Sequence, residues 1–210
     1  MVAKRALERG FLTKLLEQGI RILLIKECKK ISNIKIDIIS SSSQIIKGEI
    51  QKISIIAENI NYKDLLFDKV KLETNLLKIN FKLIHKKLDF RNTPRINLKI
   101  LLSEKSLKTI LLSNNWNWIG NMICKELLNE EKLEDIKIKN DKFIIKSSKK
   151  NITINKVENI SIKAEKGKLY LENKTCNKTF KIPIEEKIYI KNVNIENNLI
   201  NIFATSSVSF

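Results

Sequence analysis

The sequence predicts an α+β fold, in which a strongly curved antiparallel sheet wraps a long apolar N-terminal helix and two short helices lie mid-chain. Two observations support this prediction. The stretch Phe11–Ile25, inside a longer helical run from about residue 3 to residue 28, is apolar on nearly every side when it is placed at 100° per residue, and such a helix is normally buried on most sides. Most of the remaining chain alternates apolar and polar residues with the period of two that is typical of strands.

The helix is clearest over Phe11–Ile25, where only a narrow polar strip interrupts the apolar side chains. Within this strip, Glu17 lies three residues from Lys14 and four from Arg21, a spacing that supports a helix weakly. The same charges argue against a membrane span, which needs about 20 nearly uncharged residues, and against a secretory signal. A buried or surface-inserted helix is therefore predicted. One apolar sector contains Phe11, Leu15, Ile22 and Ile25, and the next two contain Leu12, Leu16, Ile20, Leu23 and Leu24.

Strand patterns begin after Lys30 and continue to residue 102. A turn or loop is predicted at Ser40–Ser43, and Gly48 is predicted to form a bulge or bend before the second strand. Alternation is the basis of each strand prediction. The apolar positions are Ile34, Ile36 and Ile38, then Ile53, Ile55 and Ala57, then Val70 and Leu72, then Leu77, Ile79, Phe81 and Leu83, then Ile96, Leu98 and Ile100.

The pattern becomes helical at Ser103, a residue type that caps helices well. Leu107, Ile110 and Leu111 recur at helical spacing, and a second helix is predicted from about residue 116 to 128. Strands return from residue 133, and Pro183 places one of them at an edge or a strand end. We therefore predict a single domain, residues 1–210, with an N-terminal helix at 1–30, a first sheet region at 31–102, a helical pair at 103–128 and a second sheet region at 133–210.

The chain is strongly basic, with 40 Lys and Arg against 23 Asp and Glu and a net charge of +17. This excess suits a nucleic-acid or an anionic-membrane partner. The alternative is compositional drift, because Ile, Lys and Asn are the residues that an AT-rich genome favours and the lysines are scattered along strands. Cys28, Cys124 and Cys176 lack CxxC spacing, which indicates reduced thiols in a cytosolic setting.

The sequence shows no catalytic or metal-binding constellation, so neither an enzyme nor a cofactor nor a metal is predicted. Its five glycines are too few and too scattered for a nucleotide-binding loop. His85 is the only histidine, and no carboxylate near it in the sequence would orient it. Trp116 and Trp118, flanked by asparagines, suit a membrane interface, and the alternative is that they pack in the core and on a neighbouring strand.

Five hydrophobic segments follow the helix in a fixed order: Gln44–Ile50 (QIIKGEI), Ile53–Ala57 (ISIIA), Ile60–Tyr62 (INY), Leu65–Thr74 (LLFDKVKLET) and Leu102–Leu107 (LSEKSL). This order resembles the LmeA-like phospholipid-binding family, most closely its short cyanobacterial members, which are catalogued as a domain of unknown function. The resemblance is strong over residues 11–112. From residue 133 onward it is weaker and depends on the regular spacing of the predicted strands. It implies a tubular lipid-binding fold, with a curved sheet around a long helix and an apolar channel, and phospholipid binding without catalysis.

The predicted function is therefore non-catalytic phospholipid binding at a membrane surface, with an acyl chain between the helix and the curved sheet. The alternatives are a scaffold with a solid core that docks a protein partner and, less favoured, a nucleic-acid binder, because no aromatic residues are interleaved with the basic ones. Without a signal peptide or span, the expected location is cytoplasmic, including peripheral attachment to the inner or thylakoid membrane. The predicted channel residues are Leu12, Leu16, Ile20, Leu23, Ile53, Ile55, Val70 and Leu72. The predicted membrane or headgroup contacts are Lys4, Arg5, Arg9, Trp116 and Trp118.

Overall fold

The computed structural model describes residues 10–82, 87–149 and 152–207, which contain four helices and twelve strands. The helices are α1 Phe11–Glu27, α2 Ser42–Ile46, α3 Glu104–Leu112 and α4 Asn117–Leu128. The first five strands are β1 Lys30–Ile39, β2 Glu49–Tyr62, β3 Leu65–Lys82, β4 Lys87–Phe90 and β5 Arg95–Ser103. The others are β6 Lys132–Lys139, β7 Lys142–Lys149, β8 Ile152–Glu165, β9 Lys168–Asn173, β10 Lys178–Lys181, β11 Ile188–Glu196 and β12 Leu199–Ser207.

The strands form two antiparallel sheets. The first has seven strands in the order β1-β2-β3-β5-β12-β11, with β4 paired to the end of β3, and the second has five in the order β10-β9-β8-β7-β6. The strand β3 is long enough, at 18 residues, to pair with β5 through its first half and with β4 through its last residues. Since β11 and β12 join the first sheet, the region predicted as a second sheet region is divided between the two sheets.

One face of the first sheet is apolar across its width, and we call it the covered face. The register places five apolar residues in one row across β2, β3, β5, β12 and β11: Ala57, Val70, Ile100, Ile202 and Val193. Helix α1 packs on the β1–β3 end of this face. The second sheet, together with α3 and α4, packs on the β5–β12–β11 end and forms the larger core with it. Helix α1 and the second sheet therefore pack on the same face of the first sheet.

The prediction of an α+β fold with a wrapped helix is wrong, because the chain is mostly β and α1 lies on the first sheet by one side only. Thr13 is its only buried residue, whereas Phe11 and Ile22 are exposed. The physical reason is that the helix is narrower than the first sheet. A helix about 10 Å across spans roughly two strands spaced about 4.8 Å apart. The rest of the covered face is buried by the second sheet instead of curling around α1.

Helix α2 begins at Ser42, inside the Ser40–Ser43 segment for which the sequence predicts a turn or loop. The Ser41 hydroxyl accepts a hydrogen bond from the Gln44 backbone N–H (3.3 Å), and the Gln44 side chain accepts one from the Ser41 N–H (2.9 Å). This reciprocal arrangement is a capping box, and its S-x-x-Q spacing is a sequence signal for the helix. The predicted cap at Ser103 is confirmed, because its hydroxyl accepts from the Ser106 N–H at the start of α3.

Helices α3 and α4 also complete the hydrogen bonding of β6, an end strand of the second sheet. A Glu104 carboxylate oxygen accepts from the Ile138 N–H at 2.6 Å, and the Asn121 side-chain oxygen accepts from the Leu133 N–H at 3.1 Å. Backbone donors at a sheet edge need such partners when water does not supply them. The helical pair is thereby fixed to the second sheet.

A matched pair of glycine substitutions tests this description. Gly48 has a φ of +73°, and a Cβ there would overlap the Ile79 carbonyl oxygen, so Gly48→Ala should lower the free energy of unfolding by about 2 kcal/mol or more. Gly19 lies on the exposed side of α1, with no described atom within 4 Å of an added Cβ. Gly19→Ala should therefore raise the free energy of unfolding by about 0.5–1 kcal/mol. Urea unfolding measures both. Changes of the same sign and size would contradict the structure.

Candidate functional site

Helix α1 has two apolar sides, and only one of them is packed. Leu16, Ile20 and Leu24 are half-buried against the core cluster that β1, β2 and β3 form. On the opposite side lies a second apolar line, which falls within a sector of about 80° at helical spacing. We call it the outer stripe: Phe11, Leu15, Ile22 and Ile25, which are 79%, 58%, 64% and 54% exposed.

Cationic side chains border the outer stripe on both sides. Lys14 and Arg21 lie on one flank and Lys26 on the other, each roughly 60–80° from the centre of the stripe at helical spacing. Lys14 and Lys26 are exposed and Arg21 is half-buried. An apolar stripe between Lys and Arg side chains is typical of helices that lie in a lipid–water interface, because their long stems cover apolar surface while the charges stay in water.

The N-terminal end of α1 is held close to α2. Gly10 precedes the helix, and a Cβ at this position would lie only 2.8 Å from the Ser42 hydroxyl oxygen. The backbone N–H of Lys14 donates to the Gly10 carbonyl at 3.3 Å and closes the first turn. Helix α2 in turn contacts β2, so the first turn of α1 lies beside an element that borders the first sheet.

The C-terminal end of α1 is tied to the turn between β2 and β3. Lys29, two residues beyond the helix, places its ammonium 2.6 Å from the Asp64 carboxylate. The Asn115 amide donates to the other oxygen of the same carboxylate. The indole N–H of Trp116 donates to the Lys63 carbonyl at 2.9 Å. The turn therefore connects the end of α1 to the loop between α3 and α4.

The predicted channel residues lie on either side of the contact between α1 and the sheet. The strand members share the covered face, because Ile55 pairs with Leu72 in register and Val70 pairs with Ala57 one row away. The helix members Leu16 and Ile20 pack against the same cluster. Leu12, Leu16, Ile20, Ile55, Val70 and Leu72 are half-buried, Ile53 is buried and Leu23 is exposed.

The predicted membrane contacts are separated by the structure. Lys4, Arg5 and Arg9 lie outside the described residues. Trp116 is half-buried and uses its indole N–H on the Lys63 carbonyl, which gives it a structural role, whereas Trp118 is exposed on α4. Sequence reasoning missed the outer stripe as a surface. The signal was present in the angular sectors of the helix, but the predicted site used only the sector that faces the sheet, and surface insertion of the helix was left as an alternative without residues assigned to it.

Other chemistry in the described part of the chain is sparse. Burial, helped by Glu130 and Glu134, raises the pKa of the Cys124 thiol to about 12, so this thiol stays protonated and unreactive at neutral pH. Nowhere in residues 10–82, 87–149 and 152–207 do three His, Cys, Asp or Glu side chains meet where they could hold a metal ion. His85 falls outside these ranges. None of the described helices combines the length and the apolar character that crossing a bilayer requires.

Comparison with known proteins gives no relative: no family model, no curated protein and no solved structure matches this chain. The resemblance to the LmeA-like family therefore stays a prediction. The function has to be argued from the geometry of the outer stripe and the charges around it.

The Asp64 contact gives a pH-dependent prediction. The hydrogen bond from Lys29, and after it the one from Asn115, lowers the pKa of Asp64. A carboxyl whose pKa is lowered by folding contributes stability above its unfolded pKa of about 3.9, and this stability is lost as the pH falls through the folded pKa. Asp64→Asn should therefore lower the thermal midpoint at pH 7, and the difference from wild type should close as the pH falls through the folded pKa of Asp64.

Thermal unfolding followed by circular dichroism between about pH 2 and pH 7 measures the effect. Asp141→Asn, in the exposed turn between β6 and β7, is the control for replacing a surface aspartate. A difference for Asp64→Asn that stays constant over the whole range would rule out the charge contact as its cause.

Proposed function

We propose that this protein binds an anionic lipid surface through the outer stripe of α1 and has no catalytic role there. The single observation that carries the proposal is the alignment of four exposed large apolar side chains on one helix side. Exposed apolar residues are common singly, but an aligned group with a polar border marks an interaction surface. Peripheral attachment to the cytoplasmic side of a membrane is part of the proposal.

The expected free energy of binding corresponds to reversible attachment. Full burial of a Leu, Ile or Phe side chain is worth about 1.5–3 kcal/mol, and the outer-stripe side chains are already partly covered, so their transfer contributes on the order of 4–7 kcal/mol. Each flanking cation adds about 1 kcal/mol near an anionic leaflet. Together these terms correspond to a dissociation constant that is roughly micromolar. Binding of this strength is peripheral rather than permanent.

The charges favour lipid over a protein partner for this surface. Lys14, Arg21 and Lys26 lie on both flanks of the outer stripe, where an anionic headgroup layer would meet all three at once. In this proposal the acyl chains contact the outer stripe, while Leu16 and Ile20 keep their packing against β1–β3. The helix therefore stays docked on the sheet when the protein binds, and no unfolding is required.

Vesicle sedimentation tests the proposal. Wild-type protein should bind vesicles that contain about one-third anionic phospholipid and bind purely zwitterionic vesicles more weakly. The double variant Phe11→Ser/Ile22→Ser should lose about 2 kcal/mol of binding, roughly a 30-fold change in affinity, because two apolar side chains no longer enter the interface. Lys14→Gln/Lys26→Gln should weaken binding to the anionic vesicles only.

Leu23→Ser is the matched control on the same helix. Leu23 is exposed to a similar degree, but it lies about 120° from the centre of the outer stripe, so its loss should change vesicle binding less than twofold. If Leu23→Ser weakens binding as much as a single outer-stripe substitution does, the docking orientation is wrong. If wild-type protein does not bind anionic vesicles, the lipid proposal fails and a protein partner for the outer stripe becomes the next candidate.

A further inference from the structure

The face of the first sheet opposite to α1 carries a row of lysines that only the strand register reveals. We call this face the open face. Lys35 pairs with Ile56, Ile56 with Lys71, Lys71 with Lys99 and Lys99 with Phe203, in five successive strands. We call Lys35, Lys71 and Lys99 the lysine row. At about 4.8 Å between strands, the row and its terminal phenylalanine span roughly 19 Å.

The open face has a positive balance. Among the described residues, alternation and register place more cations than carboxylates on it. Glu58 lies 2.9 Å from Lys69, and Glu73 lies 3.2 Å from Lys52 and 3.3 Å from Lys71. Lys35, Arg95 and Lys99 lie outside these pairs, and Lys191 on β11 reaches the same face by donating to the Asn97 side-chain oxygen. The cations are Lys35, Lys52, Lys69, Lys71, Arg95, Lys99 and Lys191, and the carboxylates are Asp37, Glu58, Glu73 and Glu196.

Two aromatic rings lie at the end of the lysine row. The Lys99 ammonium sits 5.1 Å from the centre of the half-buried Phe203 ring, a cation–π contact. Tyr189 is exposed on the neighbouring strand β11, where it pairs with Thr205, so it is a diagonal neighbour of Phe203 at about 8 Å. Cations interleaved with aromatic rings are the arrangement that single-stranded nucleic-acid sites use. The sequence hides it because Lys99 and Phe203 lie far apart in the chain.

We propose that the open face of the first sheet binds single-stranded nucleic acid, with phosphates along the lysine row and a base stacked on Phe203. The span of the row suits a short stretch of strand, within the roughly 4–16 nucleotides that single-stranded sites of β-sheet proteins cover. In this proposal, binding depends mainly on the backbone charge and on stacking. This inference does not rest on the lipid proposal, because the open face and the outer stripe of α1 lie on opposite sides of the sheet.

Fluorescence anisotropy with a fluorescein-labelled oligo(dT) of about 20 nucleotides tests this proposal as a function of salt. Wild-type protein should bind saturably at about 50 mM salt. Each cation that neutralises a phosphate of a single strand contributes about 0.7 to the slope of log K against log salt, so Lys71→Gln/Lys99→Gln should reduce that slope by about 1.4 and the low-salt affinity at least tenfold. Phe203→Leu should reduce the affinity at least fivefold through lost stacking.

Lys137→Gln/Lys139→Gln is the matched control, because it removes the same charge from exposed positions on β6 in the second sheet. Circular dichroism checks that all variants fold. The proposal is overturned if wild-type protein shows no saturable binding, or if the control loses as much affinity as the lysine-row variant. It is also overturned if Phe203→Leu binds like wild type, or if the lysine-row variant keeps oligonucleotide binding and loses only vesicle binding.

Discussion

The continuous apolar face of the first sheet is the constraint on which the rest of the structure depends. Its rows of apolar side chains run from β2 to β11, and a face of this width must be kept from water along its whole length. One helix covers about two strands, so α1 buries only one end of the face. The five-stranded sheet, with α3 and α4, buries the other end. The larger core is the contact between the two sheets, and the smaller one is the contact beneath α1.

This division determines what remains on the surface. Because the sheet does not wrap α1, the helix is packed by Leu16, Ile20 and Leu24 and leaves its other apolar side in water. The first turn of α1 lies close to α2, and the ion pair of Lys29 with Asp64 connects the other end of the helix to the turn between β2 and β3. In the proposed binding mode α1 keeps these contacts, which would keep the ordering cost of binding low. On the opposite face of the sheet, cations outnumber carboxylates even though Glu58 and Glu73 pair with Lys52, Lys69 and Lys71, and this excess is the basis of the nucleic-acid proposal.

Local features could be predicted from the sequence, and long-range ones could not. The alternation of Ile34, Ile36 and Ile38 predicted the buried side of β1, and Ser103 predicted the N-cap of α3, because both depend on neighbours within a few positions. The angular distribution of apolar residues around α1 was also predicted correctly, but periodicity does not show which apolar side packs against a neighbouring element. The prediction of a helix wrapped by the sheet was wrong for this reason. The pairing of β12 with β5, and with it the approach of Lys99 to Phe203, joins segments about half the chain apart and leaves no local signal.

The position of α1 relative to a membrane is the most direct test, and spin labels can measure it. Cys28 and Cys176 would be replaced, whereas Cys124 is fully buried and can stay. A nitroxide is then attached at Leu15→Cys in the outer stripe or at Leu23→Cys on the flank. With anionic vesicles, the Leu15 label should become accessible to oxygen and protected from a water-soluble nickel reagent, while the Leu23 label stays accessible to the nickel reagent. Equal protection of both labels, or protection of neither, would contradict docking through the outer stripe.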